Sequence, residues 1–169
     1  MLPRFLLDSD DDWQEKTRRS LYPWLHPRLQ RLGDLIGVPM YAMGGVGHNQ
    51  YVGKLDEGEE AIEIDLVDLG FRRNPIACLK SLPDGRVSEG SWALVHEDAP
   101  EVIEPGMQLH VTMFERDDGQ PGREIYAHYE DDWRTSPLTH LREKNFSVLK
   151  GVEIAREYLD SESFLVLKQ

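Results

Sequence analysis

Apolar and polar residues alternate through the second half of the chain. Met107, Leu109, Val111 and Met113 are interleaved with Gln108, His110 and Thr112, and Ile125, Ala127 and Tyr129 with Tyr126, His128 and Glu130. A period of two sends alternate side chains to opposite faces of a strand, so both segments are expected as half-buried strands joined across Asp118-Gly119-Gln120-Pro121-Gly122. Ile62, Ile64 and Leu66 alternate with Glu63 and Asp65 in the same way, which predicts an earlier strand. Ile76 to Leu82 and Arg86 to His96 flank Pro83-Asp84-Gly85, where Pro fixes one dihedral and Gly takes the left-handed one, so a hairpin is expected there. Consecutive strands with short connections imply an antiparallel meander.

The period changes at both ends. Asp and Ser open the segment 8–37, Pro23 and Pro27 favour new helix starts, and Leu29, Leu32, Leu35 and Ile36 recur at helical spacing before Gly37 and Pro39. That face is expected to pack on the sheet, with Trp13, Leu21, Trp24 and Leu25 extending the contact. Near the other end Val148, Val152, Ala155 and Leu159 form one stripe behind Asn145 or Ser147 as candidate caps. Gly151 lies inside this stripe, where it weakens a helix by about 1 kcal/mol relative to Ala and suggests a close contact. Residues 134–144 read as irregular, and Phe164-Leu165-Val166-Leu167 as a final strand.

The expected fold is α+β: an antiparallel β-meander of about five to six strands flanked by N-terminal helices and one C-terminal helix. Residues 1–169 are read as a single domain, with 8–37 helical, 60–132 an antiparallel sheet and 145–160 the C-terminal helix.

Composition supports a core without staples. Hydrophobic residues make up 40% of the 169 positions, enough for a domain of this length to fold without disulfides or a structural metal. The one cysteine, Cys78, sits among Ile76, Ala77 and Leu79 and reads as a small buried hydrophobe. A net charge of −12 sets a repulsive average field against phosphate polymers, which disfavours nucleic acid as a partner. The basic group Lys16, Arg18, Arg19, Arg28 and Arg31 reads as a solvated helix face. Leu2 to Leu7 is too short and too soon acidic for a secretory signal, and no window has the length of a membrane span, so a cytoplasmic location with no membrane partner is expected.

The local motifs fail their own spacing tests. Gly44 to Lys54 is glycine-rich, but a phosphate loop ending at Gly53-Lys54 would need Gly at His48 and Ser or Thr at Leu55, while a dinucleotide fingerprint would need Gly or Ala at Gln50. The segment is expected as a loop running into extended chain, with His48, Asn49 and Gln50 as ligand-binding candidates. Asp8, Asp10 and Asp12 start like a calcium loop, yet Trp13 replaces its glycine and Arg19 its glutamate. Ser91 has no nucleophile elbow around it. Tyr129 with Asp131, Asp132 and Trp133 reads as an acidic aromatic edge able to meet a cationic partner.

One constellation depends on register. If Glu115 pairs with Arg123, then His110 stands opposite His128, Gln108 opposite Glu130 and Thr112 opposite Tyr126. Two imidazoles with Glu130 or Glu124 could then hold zinc, manganese or iron, or one histidine could act as a general base. A slip of one residue separates them. With no reaction signature intact, the leading expectation is a noncatalytic ligand- or protein-binding module that uses one sheet face, with Tyr126 on it and the Gly44 to Gly53 loop at its rim. Its partner would be another protein, a second copy of the chain or a small ligand, and no cofactor is expected. The alternative is a small metal-dependent or acid-base enzyme centred on His110, His128 and Glu130, with a divalent transition metal as the minority cofactor.

Overall fold

The computed structural model describes residues 45–74, 80–141 and 143–161, together with the isolated positions 21, 24, 28, 31, 32 and 35. Its centre is a five-stranded antiparallel sheet with helices, an α+β arrangement. The strands are β1 (Tyr51–Leu55), β2 (Arg72–Arg73), β3 (Gly90–Val95), β4 (Met107–Glu115) and β5 (Arg123–Asp131), in the spatial order β1-β5-β4-β3-β2. Strands β2 to β5 follow one another as a meander, and β1 closes against the last of them. The sheet therefore begins earlier than the expected residue 60, at the extended chain that follows the glycine-rich segment.

The central hairpin has the register on which the site depends. Glu115 pairs with Arg123, and the ladder carries Leu109 opposite Tyr129, Val111 opposite Ala127 and Met113 opposite Ile125 on one face. Those side chains are buried in one apolar cluster with Trp92, Leu94, Ile62, Leu66, Val152, Ala155 and Leu159. Burying one such side chain fully is worth about 1.5–3 kcal/mol.

The segment around Ile62 is a helix, α1 (Glu59–Asp68), where a strand was expected. Ile62 and Leu66, four apart, are buried, whereas Ile64 and Val67 are exposed, so the period that wins is that of a helix. Glu59 and Glu60 lie in its first turn, where negative charge is favourable. Gly70 ends it in the left-handed conformation, with Phe71 N–H donating to Leu66 O and Gly70 N–H to Val67 O, a Schellman close.

The Pro83-Asp84-Gly85 turn forms as expected, with Gly85 at φ +92° and its N–H donating to Leu82 O. Its arms are not two long strands: Ser81 and Val87 make one isolated bridge, and the ladder proper starts at Gly90. Ile76 to Leu79, including Cys78, lie outside the described residues.

Residues 134–144 are more ordered than expected. They contain a short helix, α2 (Pro137–Leu141), closed by Glu143 at φ +52° and by Lys144 N–H donating to Thr139 O. The C-terminal helix is α3 (Val148–Ser161). Of the two candidate caps Ser147 serves, its Oγ accepting Lys150 N–H at 3.3 Å. Ser147 also exchanges two backbone hydrogen bonds with Tyr129, which pins the start of α3 to β5. The contact anticipated at Gly151 is real: a Cβ there would stand 2.3 Å from His128 Cα.

The expected N-terminal helices over 8–37 lie outside the described residues, six positions apart. Leu21, Trp24, Leu32 and Leu35 are exposed, against the expectation that this face seals the sheet. The strand expected at Phe164 to Leu167 also falls outside. No helix among the described residues is long and apolar enough to cross a membrane.

Candidate metal centre

The second face of the sheet should, by the period-two pattern, be wet. It is instead as dry as the first: Gln108, His110, Thr112, Glu124, Tyr126, His128 and Glu130 are all at most 3% exposed. Polar groups are buried only with partners, so each one here raises the question of where its hydrogen bonds go.

His110 stands opposite His128, as the register requires, and Gln108 opposite Glu130. His110 Nδ1 lies 3.0 Å from His128 Nε2 and 3.0 Å from Glu130 Oε1, and His128 Nε2 lies 3.3 Å from the same oxygen. Three donor atoms thus converge from two neighbouring strands. The remote nitrogen of each imidazole is also engaged: His128 Nδ1 meets Gln50 Oε1 at 2.9 Å, and His110 Nε2 meets Ser91 Oγ. Ser91 Oγ in turn lies 3.4 Å from Val111 O. Gln108 Nε2 donates to Glu130 Oε1 at 2.9 Å, while Gln108 Oε1, fully buried, has no hydrogen-bond partner among the described residues.

The surroundings complete the charge balance. Glu130 Oε2 lies 3.4 Å from His140 Nδ1, brought in by α2, and that nitrogen also donates to Asp131 O at 2.9 Å. Lys80, buried, adds a cationic group that interacts with Glu130 and Glu143. Burial lowers its ammonium to about 8 against the pull of those two carboxylates. Phe146 covers His128, ring centres 4.8 Å apart.

Desolvation pushes His110 down to about 3 and His128 to about 4, with Lys80 adding to both shifts. Both imidazoles are therefore neutral near pH 7, the state a metal ligand requires. Burial alone would raise Glu130, but the two imidazoles hold it well below the usual carboxylate range.

Two chemistries share these atoms. Ser91 Oγ, His110 and Glu130 stand in the order of a nucleophile, base and orienting carboxylate. Ser91, however, is 1% exposed near the start of β3, its hydroxyl has a carbonyl to bond, and a triad gives no reason for His128 Nε2 to turn to the same point. A metal ion would give that reason. Donors at about 2.0–2.2 Å from one ion lie roughly 3.0–3.5 Å from each other, the spacing found here. Each histidine would then carry its proton on the nitrogen turned away from the ion, where Gln50 or Ser91 accepts it.

The other candidates separate. Gln50 joins the centre although it lies in the glycine-rich segment; His48 and Asn49, beside it on the same 3-10 turn, are exposed and make no part of it. Tyr126 and Glu124 form their own cluster, Tyr126 OH donating to Glu124 Oε2 at 3.1 Å, with Arg86 at 2.9 Å and Lys54 at 3.3 Å from the carboxylate. Glu124 thus pairs with two cations and is not a partner of the histidines. The acidic aromatic edge is corrected: Tyr129, Asp131 and Asp132 are buried, with Asp132 held by Arg134 and Asp131 by Asn145. Ser91, Lys80 and His140 were missed as neighbours of the histidines. Ser91 could have been placed from the β3–β4 register, since it pairs with Thr112, two residues from His110. The chain matches no protein-family model, no curated protein and no solved structure.

Proposed function

We propose that this chain is a metalloprotein with a mononuclear centre for a divalent transition metal, held by His110 Nδ1, His128 Nε2 and Glu130 Oε1. The observation that carries this reading is the convergence of three buried donor atoms at 3.0–3.3 Å, each ligand braced by a second side chain. Two imidazoles and one carboxylate suit zinc, iron or manganese and do not suit magnesium or calcium, which prefer all-oxygen sites. Three protein ligands leave a coordination position for water or a small ligand, the pattern of reactive rather than purely structural zinc sites. The unmatched Gln108 Oε1 beside Glu130 is an acceptor suited to such a water. The chemistry supplied there would be activation of the bound water or polarisation of a bound oxygen.

The noncatalytic binding module is less well supported at this face, because the side chains it would use are buried and already bonded to one another. Elemental analysis of the purified protein, with melting curves before and after zinc or manganese addition, tests the proposal. About one equivalent of metal and a raised melting temperature are expected. No retained transition metal, together with unchanged melting on addition, would remove it.

A further inference from the structure

The glycine-rich segment fits no phosphate or nucleotide motif, yet it delivers one side chain deep into the molecule. Val46 N–H donates to Ser81 O at 2.8 Å, and the Val46 side chain is buried with Leu82, Phe114 and Tyr126. The chain then turns through His48–Gln50, closed by Gln50 N–H donating to Gly47 O, and enters β1 at Tyr51. Anchored on both sides, Gln50 is 6% exposed and presents Oε1 to His128 Nδ1 at 2.9 Å, across 78 residues of sequence.

An imidazole has one proton to place when neutral, and its tautomer is set by the partner it finds. An amide oxygen only accepts. It therefore fixes the proton of His128 on Nδ1 and leaves the Nε2 lone pair facing His110 Nδ1 and Glu130 Oε1. We infer that Gln50 is a positioning residue for the metal centre, and that delivering its amide to His128 is the task of the glycine-rich turn. This rests on the metal reading for its purpose, but the tautomer it imposes is a property of the metal-free protein as well. Mutation of outer partners of metal-bound histidines typically costs 10–100-fold in affinity.

The test uses the full chain and cobalt(II) as the probe, because its visible spectrum reports the ligand set. Wild type is expected to bind about one equivalent. Gln50→Leu should bind roughly 10–100-fold more weakly with altered visible bands, and Gln50→Glu, which keeps an accepting oxygen, should return to within a few-fold of wild type. Long-range proton–nitrogen NMR of the metal-free wild type provides the second measurement and needs no variant. His128 is expected as the Nδ1–H tautomer, and an Nε2–H tautomer would overturn the inference even if Gln50→Leu failed to fold. Cobalt binding by Gln50→Leu with wild-type affinity and spectrum would overturn it too, leaving the metal centre intact. Failure of wild type to bind cobalt would instead remove the metal reading.

Discussion

The two faces of the β4–β5 hairpin are equally dry and chemically opposite. On one, Leu109, Val111, Met113, Ile125 and Ala127 are wholly buried against side chains of α1 and α3; on the other, so are Gln108, His110, Thr112, His128 and Glu130, to within 2%. Burial stabilises the first set, because apolar surface leaves water. Burial works against the second: an ionised carboxylate and neutral imidazoles give up hydration that their mutual hydrogen bonds roughly restore, and apolar replacements of matched shape are often neutral or stabilising. The apolar face explains why the sheet folds. The polar face needs another reason, and the proposed cation would supply one.

The largest expected effect lies on the apolar face. Leu109→Ala removes a fully buried side chain and should cost about 2–5 kcal/mol in a urea melt. The folded fraction should still bind one equivalent of zinc; loss of binding in proportion to stability would show that the faces are not separable. Next is Gly151→Ala, where the added methyl meets the backbone of His128 and Tyr129 from the apolar side. The gain of about 1 kcal/mol in helix propensity is overridden by an overpacking cost of roughly 1–3 kcal/mol, so a net loss of up to about 2 kcal/mol is expected together with weaker metal binding, as His128 is displaced. A stabilised protein would mean that α3 can lift away without disturbing the centre.

On the polar face the effect on stability is smaller. The double substitution Gln50→Leu with His128→Leu exchanges a bonded polar pair for apolar groups, so the metal-free protein should stay within about 1 kcal/mol of wild type while the zinc-induced rise in melting temperature disappears. A loss of several kcal/mol would place the polar network among the elements that hold the fold.

Acid should separate the faces more gradually. His110 and His128 titrate near 3 and 4 in the folded protein, against about 6.5 in an unfolded chain. Between those limits the unfolded state binds more protons, so stability falls as pH drops from about 6.5 towards 3. The depressed Glu130 acts in the same direction, its contribution fading as pH falls below the ordinary glutamate range. Melting of the metal-free protein across this range should show the decline, and the double variant, with one titrating histidine fewer, should show a shallower one.

Much of this contrast was legible in the sequence. The alternation from Met107 to Met113 and from Ile125 to Glu130 carried the hairpin, and His110 opposite His128 was one of its possible registers, the one in which Glu115 pairs with Arg123 as it does in the fold. That the polar face would be dry was not legible. Alternation distinguishes two faces but cannot say what lies over the second, and here the described neighbours come from distant segments: Gln50 before β1, Lys80 before β3, His140 on α2 and Phe146 before α3. Around Ile62 the pattern was ambiguous, since three apolar residues spaced by two also contain an i, i+4 pair, and Gly70 as a helix stop was the signal passed over. His140 went unseen because a helix of five residues leaves almost no periodicity to read.

The most direct measurement is X-ray absorption at the zinc edge of the zinc-loaded protein. The account predicts a first shell of nitrogen and oxygen near 2.0–2.1 Å with outer-shell scattering from two imidazoles, reduced to one in His110→Ala. Zinc held with no imidazole scattering, or scattering unchanged by that substitution, would contradict it.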